Sequence, residues 1–222
     1  MTYKPLRVEF LIDGMMVVPD FEPVLLDSLL LARATHGQPI LATMSDEVAL
    51  PVAKAATTAW PQPIWLASQL TVQWAGPSVG RLLHRNVRPL DLLSDSAQHK
   101  ATTVDSSTGL SKTARTQLAI RHAVKATAWC IGVQEEVCSL LAGVYALGAH
   151  RHLGYGRVRQ VDVIEDSLAT TLAWNRPIPG FHPDDPIPDR ERRPGRSTPP
   201  YWVRDMKQDA WWPRGDTTTR SE

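Results

Sequence analysis

The sequence predicts an α+β domain of the ferredoxin-like class. Alternating apolar residues mark four strands, at 6–12, 64–74, 127–134 and 157–164. Apolar residues at i, i+3 and i+4 spacing mark two helices, at 23–35 and 135–147. In chain order these segments read βαββαβ, which is the order of a ferredoxin-like domain.

The first strand and helix have clear start and stop signals. Leu6, Val8 and Phe10 alternate with polar residues, as in a strand with one buried face. Pro23 suits a first helical turn, and Gly37 offers a stop to the helix. The following segment, 40–60, has a mixed pattern from which neither helix nor strand is predicted.

The later elements have equally local signals. Gly76-Pro77 and Gly80 are expected to end the strand at 64–74. The strand at 127–134 has one unusually small face, which consists of Ala128, Cys130 and Gly132. Glu135-Glu136 suits a helix start and Gly148 a helix cap. A phase change between Val158 and Val161 indicates either that only part of the last strand is covered on both faces or that the strand contains a bulge.

Composition points to a globular protein without a metal or cofactor. The only cysteines, Cys130 and Cys138, have no further ligands nearby, so both are expected in the core. The chain has no apolar run long enough to span a membrane and no leader-like start, so a cytoplasmic location is expected. Residues 175–222 are rich in proline and predict a solvated tail, with tryptophans that dock on the domain, which is the favoured interpretation, or on a partner.

Positive charge is concentrated between Arg81 and Lys125, where eight Lys/Arg face three acids. Such a field attracts phosphates through counterion release. If 81–88 is helical, its basic residues share one face, although a solvated surface is the alternative. The candidate RNA-binding residues of this region are Arg81, His84, Arg85, Arg88, Lys100, Lys112, Arg115 and Arg121.

A glycine-rich stretch, which we call the glycine loop (148–157), joins the second helix to the last strand. Its glycines allow positive φ or a close approach to another molecule, and its basic side chains suit phosphates. Tyr155 offers a ring that can stack on a base. An ordinary helix-to-strand turn is the alternative, and His150 and His152 lack a third ligand for a metal. The candidate RNA-binding residues here are Gly148, His150, Arg151, His152, Gly154, Tyr155, Gly156 and Arg157.

The stretch Gly148-Ala-His-Arg-His-Leu-Gly154-Tyr-Gly156-Arg-Val resembles the glycine-rich loop of the CRISPR-associated RAMP superfamily, whose ferredoxin-like fold is related to the RRM. Residues 20–33 resemble the start of the first helix in these proteins. The chain is most similar to the subunit that caps the 5′ handle of guide RNA (crRNA) in class 1 effector complexes, of type IV. The resemblance covers residues 6–164, and the segment after Asn175 has no counterpart.

This resemblance implies a non-catalytic RNA-binding subunit that nucleates a multisubunit effector complex in antiviral defence. Its implied partners are the crRNA 5′ handle, a neighbouring backbone RAMP subunit, the large subunit and target DNA next to the protospacer, with no membrane. Family members carry a β-hairpin thumb between the second and third strands, which here would be 86–122. The implied organisation is a RAMP domain at 1–174 and a Pro/Trp-rich extension at 175–222.

Two alternatives remain open. Some relatives cut precursor crRNA without metal, by general acid–base chemistry with Tyr, His and Lys side chains. The residues available for that chemistry here are His84, His122, Lys125, His150, His152 and Tyr155. The second alternative is a ferredoxin-like domain with no RNA partner.

Overall fold

The computed structural model describes residues 2–18, 23–35, 48–60, 62–85, 114–197 and 208–214. Its centre is a four-stranded antiparallel sheet made of β1 (Lys4–Val17), β4 (Thr71–Arg85), β5 (Ala114–Gly132) and β6 (Val158–Glu165). The spatial order is β4-β5-β1-β6. Two helices, α1 (Leu26–Ala34) and α2 (Gln134–Leu141), complete the order β1-α1-β4-β5-α2-β6. This α+β arrangement is compatible with the predicted ferredoxin-like class.

Smaller elements surround this centre. They are the strand pair β2 (Lys54–Ala55) and β3 (Ile64–Trp65), a short helix α3 (Ala169–Leu172), and the hairpin β7 (Arg190–Gly195) and β8 (Gln208–Pro213). The predicted strand at 64–74 is therefore two strands, because residues 66–70 leave the strand at a bend at Leu66 and form only isolated bridges with Cys130 and Leu25. In the described ranges, the helices are too short or too polar to cross a membrane.

The core lies between the sheet and the two longer helices. On β1, Leu6, Val8 and Phe10 are fully buried, as predicted. Each of these large side chains lies opposite a small one on β5, in the pairs Leu6–Cys130, Val8–Ala128 and Phe10–Ala126. The small face of β5 predicted from the sequence is thus the helix-facing side, where small side chains leave room for the packed helices.

The strands β4 and β5 continue past the sheet as a two-stranded ribbon that pairs as far as Arg85–Ala114. At the base of this ribbon, Ala75 lies opposite His122 and Val79 opposite Ile120, so three residues face one. Gly76 has a φ of 68° within this bulge. A bulge of this kind bends a strand pair without ending it, so Gly76-Pro77 and Gly80 do not terminate the strand as predicted.

The ribbon changes the interpretation of the basic region. Residues 81–85 are in a strand, so the predicted basic helix face is wrong. Residues 114–122 of the predicted thumb are in β5, and 86–113 lie outside the described residues. We call residues 79–85 and 114–120 the β4–β5 ribbon.

Helix α2 ends six residues earlier than predicted. Arg33 of α1 donates a hydrogen bond from Nε to the Leu140 carbonyl (3.2 Å), one of the carbonyls left open at the helix end. A Cβ at Gly143 would lie 2.0 Å from Arg33 Nη2, so Arg33 occupies that space. Gly148 consequently does not cap the helix, and Ala146 forms a bridge with Arg157 instead.

Of the two alternatives for the last strand, the bulge is confirmed. Gln160 lies opposite Leu11, and Val158 lies opposite Ile12, so Arg159 has no partner in the register with β1. The extra residue accounts for the phase change that the apolar pattern shows.

The C-terminal segment is not a solvated tail where the structure describes it. Arg176 and Ile178 are fully buried, and Trp212 is 3% exposed. Trp212 is buried against Arg193 and Gly195 of the same segment, so its docking on the preceding domain stays a prediction. Trp211 is 40% exposed, and Trp202 lies outside the described residues. Of the two cysteines, Cys130 is buried as predicted, but Cys138 is exposed.

Candidate nucleic-acid interface

The glycine loop is fixed at its C-terminal end by backbone hydrogen bonds. Gly156 N–H donates to the Met15 carbonyl (2.9 Å), and Leu147 N–H donates to the Gly156 carbonyl (2.8 Å). Asp13 N–H donates to the Arg157 carbonyl at 2.8 Å. The loop therefore lies against the end of β1, next to the strands that lead into the ribbon.

The loop backbone has the conformation that its glycines predict. Gly148, Gly154 and Gly156 have φ values of 81°, 85° and 66°. His150 is the one described residue other than glycine with positive φ, at 56°. A Cβ at Gly156 would lie 2.0 Å from the Leu147 carbonyl oxygen, whereas nothing lies within 4 Å of a Cβ at Gly154. Close backbone approach thus requires glycine at 156, and positive φ favours it at 154.

Tyr155 joins the loop to the ribbon. The side chain is 5% exposed and packs with Val17, Leu118 and Ile120 in a small apolar cluster. Its ring therefore cannot stack on an RNA base in this arrangement, contrary to the prediction. Its hydroxyl is buried and has no hydrogen-bond partner among the described residues. The Arg81 guanidinium lies over the ring at 5.9 Å from its centroid.

Loop and ribbon together form a surface without acidic side chains of their own. The stretches 71–85, 114–132 and 137–161 contain eight Lys/Arg and no Asp or Glu. Acids reach this part of the molecule from β1: Glu9 pairs with Lys125 at 3.0 Å, and Asp13 lies beside the Arg157 backbone. We call the exposed parts of the glycine loop and of the ribbon, together with Arg159, the basic surface.

The twelve Arg, Lys and His residues of the predicted site divide into four groups. Arg81, Arg151, His152 and Arg157 are exposed. His150 and Arg121 are half-buried, and Arg121 Nε donates to the Gly76 carbonyl (2.6 Å), where it braces the bulge. Only the backbone is described for His84, Arg85 and Arg115. His84 pairs with Arg115, and Arg85 pairs with Ala114. Arg88, Lys100 and Lys112 lie outside the described residues.

Sequence reasoning omitted Arg159 from the site. Its side chain is exposed on the bulge of β6, two residues after Arg157. Its position in the acid-free stretch 137–161 was the available signal. The bulge predicted in the last strand was a second signal for Arg159, because a bulge directs a side chain away from the regular strand pattern.

The sheet surface opposite the helices is a less suitable place for a polyanion. Arg7 lies 3.4 Å from Glu9 and 3.5 Å from Asp166, and the same Glu9 binds Lys125. Trp129 lies opposite Arg7 and is only half-exposed. Because acids neutralise its positive charges, this face attracts phosphates less strongly than the basic surface does.

Two of the residues considered for catalysis are engaged elsewhere in the structure. Lys125 is held by Glu9, and Tyr155 is buried. His150 and His152 lie together on the loop, with ring centroids 5.9 Å apart. No cluster of three His, Cys, Asp or Glu side chains suited to a metal occurs among the described residues.

Comparison with known protein families gives a match over most of the chain. No curated protein matches the chain. A family model described as "CRISPR type IV associated protein Csf3" matches residues 4–213, from the first residue of β1 to the last of β8. The match includes the C-terminal segment for which the sequence resemblance offered no counterpart. Because it spans nearly the whole chain, the protein belongs to the Csf3 family of type IV CRISPR-associated proteins.

Proposed function

We propose that this protein is the non-catalytic RAMP subunit that binds and caps the 5′ handle of crRNA in a type IV effector complex. Family membership supports a role in such a complex and implies protein partners. The observation that carries the RNA-binding proposal is the basic surface, where the glycine loop and the β4–β5 ribbon meet without acidic residues of their own.

In this proposal, the exposed guanidinium groups of Arg151, Arg157 and Arg159 contact handle phosphates. Such contacts position RNA without reading its sequence. Arg81 lies on the ribbon beside the loop, so one RNA strand would touch both elements. Tyr155 acts as the packing residue that holds them together.

The ribbon is the base of the proposed thumb, which separates handle from spacer. Its bulge, braced by Arg121, sets the angle at which it leaves the sheet. The proposed partners beyond the handle are a backbone RAMP subunit, the large subunit and target DNA next to the protospacer.

A binding titration with crRNA handle and a scrambled RNA of equal length tests the proposal. We expect tighter binding to the handle and affinity that falls steeply with salt, since phosphate contacts release counterions. Equal, weak and salt-insensitive binding to both RNAs would contradict it.

A metal-independent endoribonuclease is the second candidate, favoured by the adjacent imidazoles of His150 and His152. Two such groups could act as base and acid on a phosphodiester. Cleavage of repeat RNA in EDTA by the purified protein, abolished by His152→Ala, would support this function over a purely binding one.

A further inference from the structure

The C-terminal segment contains a cavity of about 250 Å³ that is separate from the basic surface. Its apolar lining comes from the β8 strand and from the chain between α3 and β7. These lining residues are Ile178, Phe181, Ile187, Pro188 and Trp211. Small-molecule sites typically measure roughly 300–1,000 Å³, so this cavity suits one large side chain better than a cofactor.

The charged side chains among the described residues of the cavity wall, Asp185 and Arg190, neutralise each other. Arg190 binds both carboxylate oxygens of Asp185, with Nε–Oδ2 at 2.6 Å and Nη2–Oδ1 at 2.9 Å. Arg190 also donates to the carbonyls of Trp174 (2.9 Å) and Arg176 (2.8 Å). With these donors satisfied, the wall has little left to offer a polar ligand and favours an apolar one.

Two aromatic residues of the lining reach solvent. Phe181 is 82% exposed and Trp211 is 40% exposed. Large exposed aromatic groups beside a concave apolar surface are typical of the central residues of protein interfaces.

The charge around the cavity favours a protein over a nucleic acid. Residues 184–193 and 208–214 carry five acids and four arginines. Three of these arginines are exposed and lie within 4 Å of an acid, in the pairs Arg192–Asp209, Arg193–Glu191 and Arg214–Asp189. The side chain of Asp184 is 83% exposed, and the ring beside it is that of His182, whose Nδ1 accepts a hydrogen bond from the Asp184 N–H at 3.1 Å. This rim would repel phosphates mildly and attract a basic flank.

The cavity lies at the opposite end of β5 from the ribbon. Ile64 of β3 packs with Trp174 and Ile178, and Ala67 forms a bridge with Cys130 near the end of β5. The part of the ribbon nearest to this end of β5 is Ile120, ten residues earlier than Cys130. At about 3.3 Å per residue the two positions are on the order of 30 Å apart along the strand. A partner in the cavity would leave the basic surface free.

We propose that this cavity binds an apolar side chain of another protein subunit of the type IV complex, presented by a segment with basic flanking residues. Phe181 and Trp211 form the centre of the contact, and the paired charges of the β7–β8 hairpin form its polar rim. This inference rests on family membership and on the cavity, and it holds whether or not the RNA proposal does.

The test uses the purified subunits of the complex, each without RNA, and surface-immobilised wild-type protein or variants. We expect one subunit to bind the wild type and to bind Phe181→Ala at least tenfold more weakly. Asp184→Lys should weaken that binding at low salt but not at high salt, because the rim charge acts electrostatically. Tyr145→Ala, which removes an aromatic group that is 74% exposed outside the cavity, is the matched control.

Thermal unfolding and crRNA titration complete the test. Phe181→Ala should unfold at the wild-type temperature, because so exposed a side chain contributes little to the core, and should bind crRNA as the wild type does. The proposal is overturned if no subunit binds the wild type or if Phe181→Ala and Tyr145→Ala bind alike. A loss of crRNA affinity in Phe181→Ala would likewise overturn it, since the cavity would then be an RNA site.

Discussion

Gly154 and Gly156 both have positive φ, but their surroundings differ. Gly154→Ala should cost about 1–2 kcal/mol of unfolding free energy, the strain of a Cβ in that conformation. Gly156→Ala should cost more than about 3 kcal/mol, because its Cβ also meets the Leu147 carbonyl oxygen at 2.0 Å. Urea unfolding of both variants measures the difference. Equal losses would show that the loop adapts at Gly156.

The two cysteines should differ sharply in reactivity. Burial raises the pKa of the Cys130 thiol to about 12, so almost no thiolate forms at pH 8. Cys138 is exposed on α2. A thiol-reactive chromophore should therefore modify one cysteine in the native protein and two in urea. Rapid modification of both native thiols would contradict the burial of Cys130.

At this scale the sequence predicts backbone conformation better than exposure. Positive φ at the loop glycines follows from residue type alone. The burial of Tyr155 does not, because it depends on the ribbon folding against the loop over a sequence separation of some forty residues. The same limit applies to Cys138, whose exposure depends on how α2 is rotated.

Among the elements, the contact between glycine loop and ribbon rests on Tyr155. Tyr155→Ala should lower the unfolding free energy by about 3 kcal/mol, as aromatic truncations in apolar clusters do. Tyr155→Phe should preserve stability or raise it by up to about 1 kcal/mol, since a buried hydroxyl without a partner is unfavourable.

Hydrogen exchange of the amides between Val79 and Leu83 tests whether the loss of stability in Tyr155→Ala is located in the ribbon. Faster exchange in Tyr155→Ala, with wild-type exchange in Tyr155→Phe, is expected. If Tyr155→Phe is as destabilised as Tyr155→Ala, then the hydroxyl rather than the ring holds the two elements together.

The element order was predictable, whereas the ribbon was not. Strands with one buried face, such as β1, produce a clear alternating pattern. Residues 79–85 leave the sheet and have no such face, and the bases at 81 and 85 lie in a strand despite their helical spacing. The hydrogen bond from Arg121 to Gly76 links residues 45 apart, so no local signal marks the bulge.

For the molecule as a whole, a buried ion pair connects the C-terminal segment to α1. Arg176 Nη1 donates to Asp27 Oδ2 at 2.8 Å, and both side chains are fully buried. Asp27→Ala should cost about 3–5 kcal/mol, because it removes the fully buried carboxylate that Arg176 binds. Chemical denaturation measures this loss.

The matched control is Asp209→Ala, which removes an exposed carboxylate 2.6 Å from Arg192. Surface pairs contribute about 0–1 kcal/mol, so this variant should be nearly as stable as the wild type. Similar losses in both variants would mean that the C-terminal segment contributes little to the stability of the domain.

The fully buried Arg176 shows why sequence patterns miss such a segment. Its structure depends on two arginines, Arg176 and Arg190, that bind carbonyls and carboxylates in the interior. Arginine normally indicates a surface position, and eight prolines between 177 and 200 suggest a solvated chain.

The most direct measurement of the central claim is the salt dependence of crRNA-handle binding in two arginine double variants. Arg151→Ala with Arg157→Ala removes charge from the basic surface, and Arg192→Ala with Arg214→Ala removes the same charge from the far end of β5. We predict that the first flattens the slope of log K against log salt by about 1.4, from two lost phosphate contacts on single-stranded RNA, and that the second leaves it unchanged. Equal slopes in the two double variants would contradict RNA binding at the basic surface.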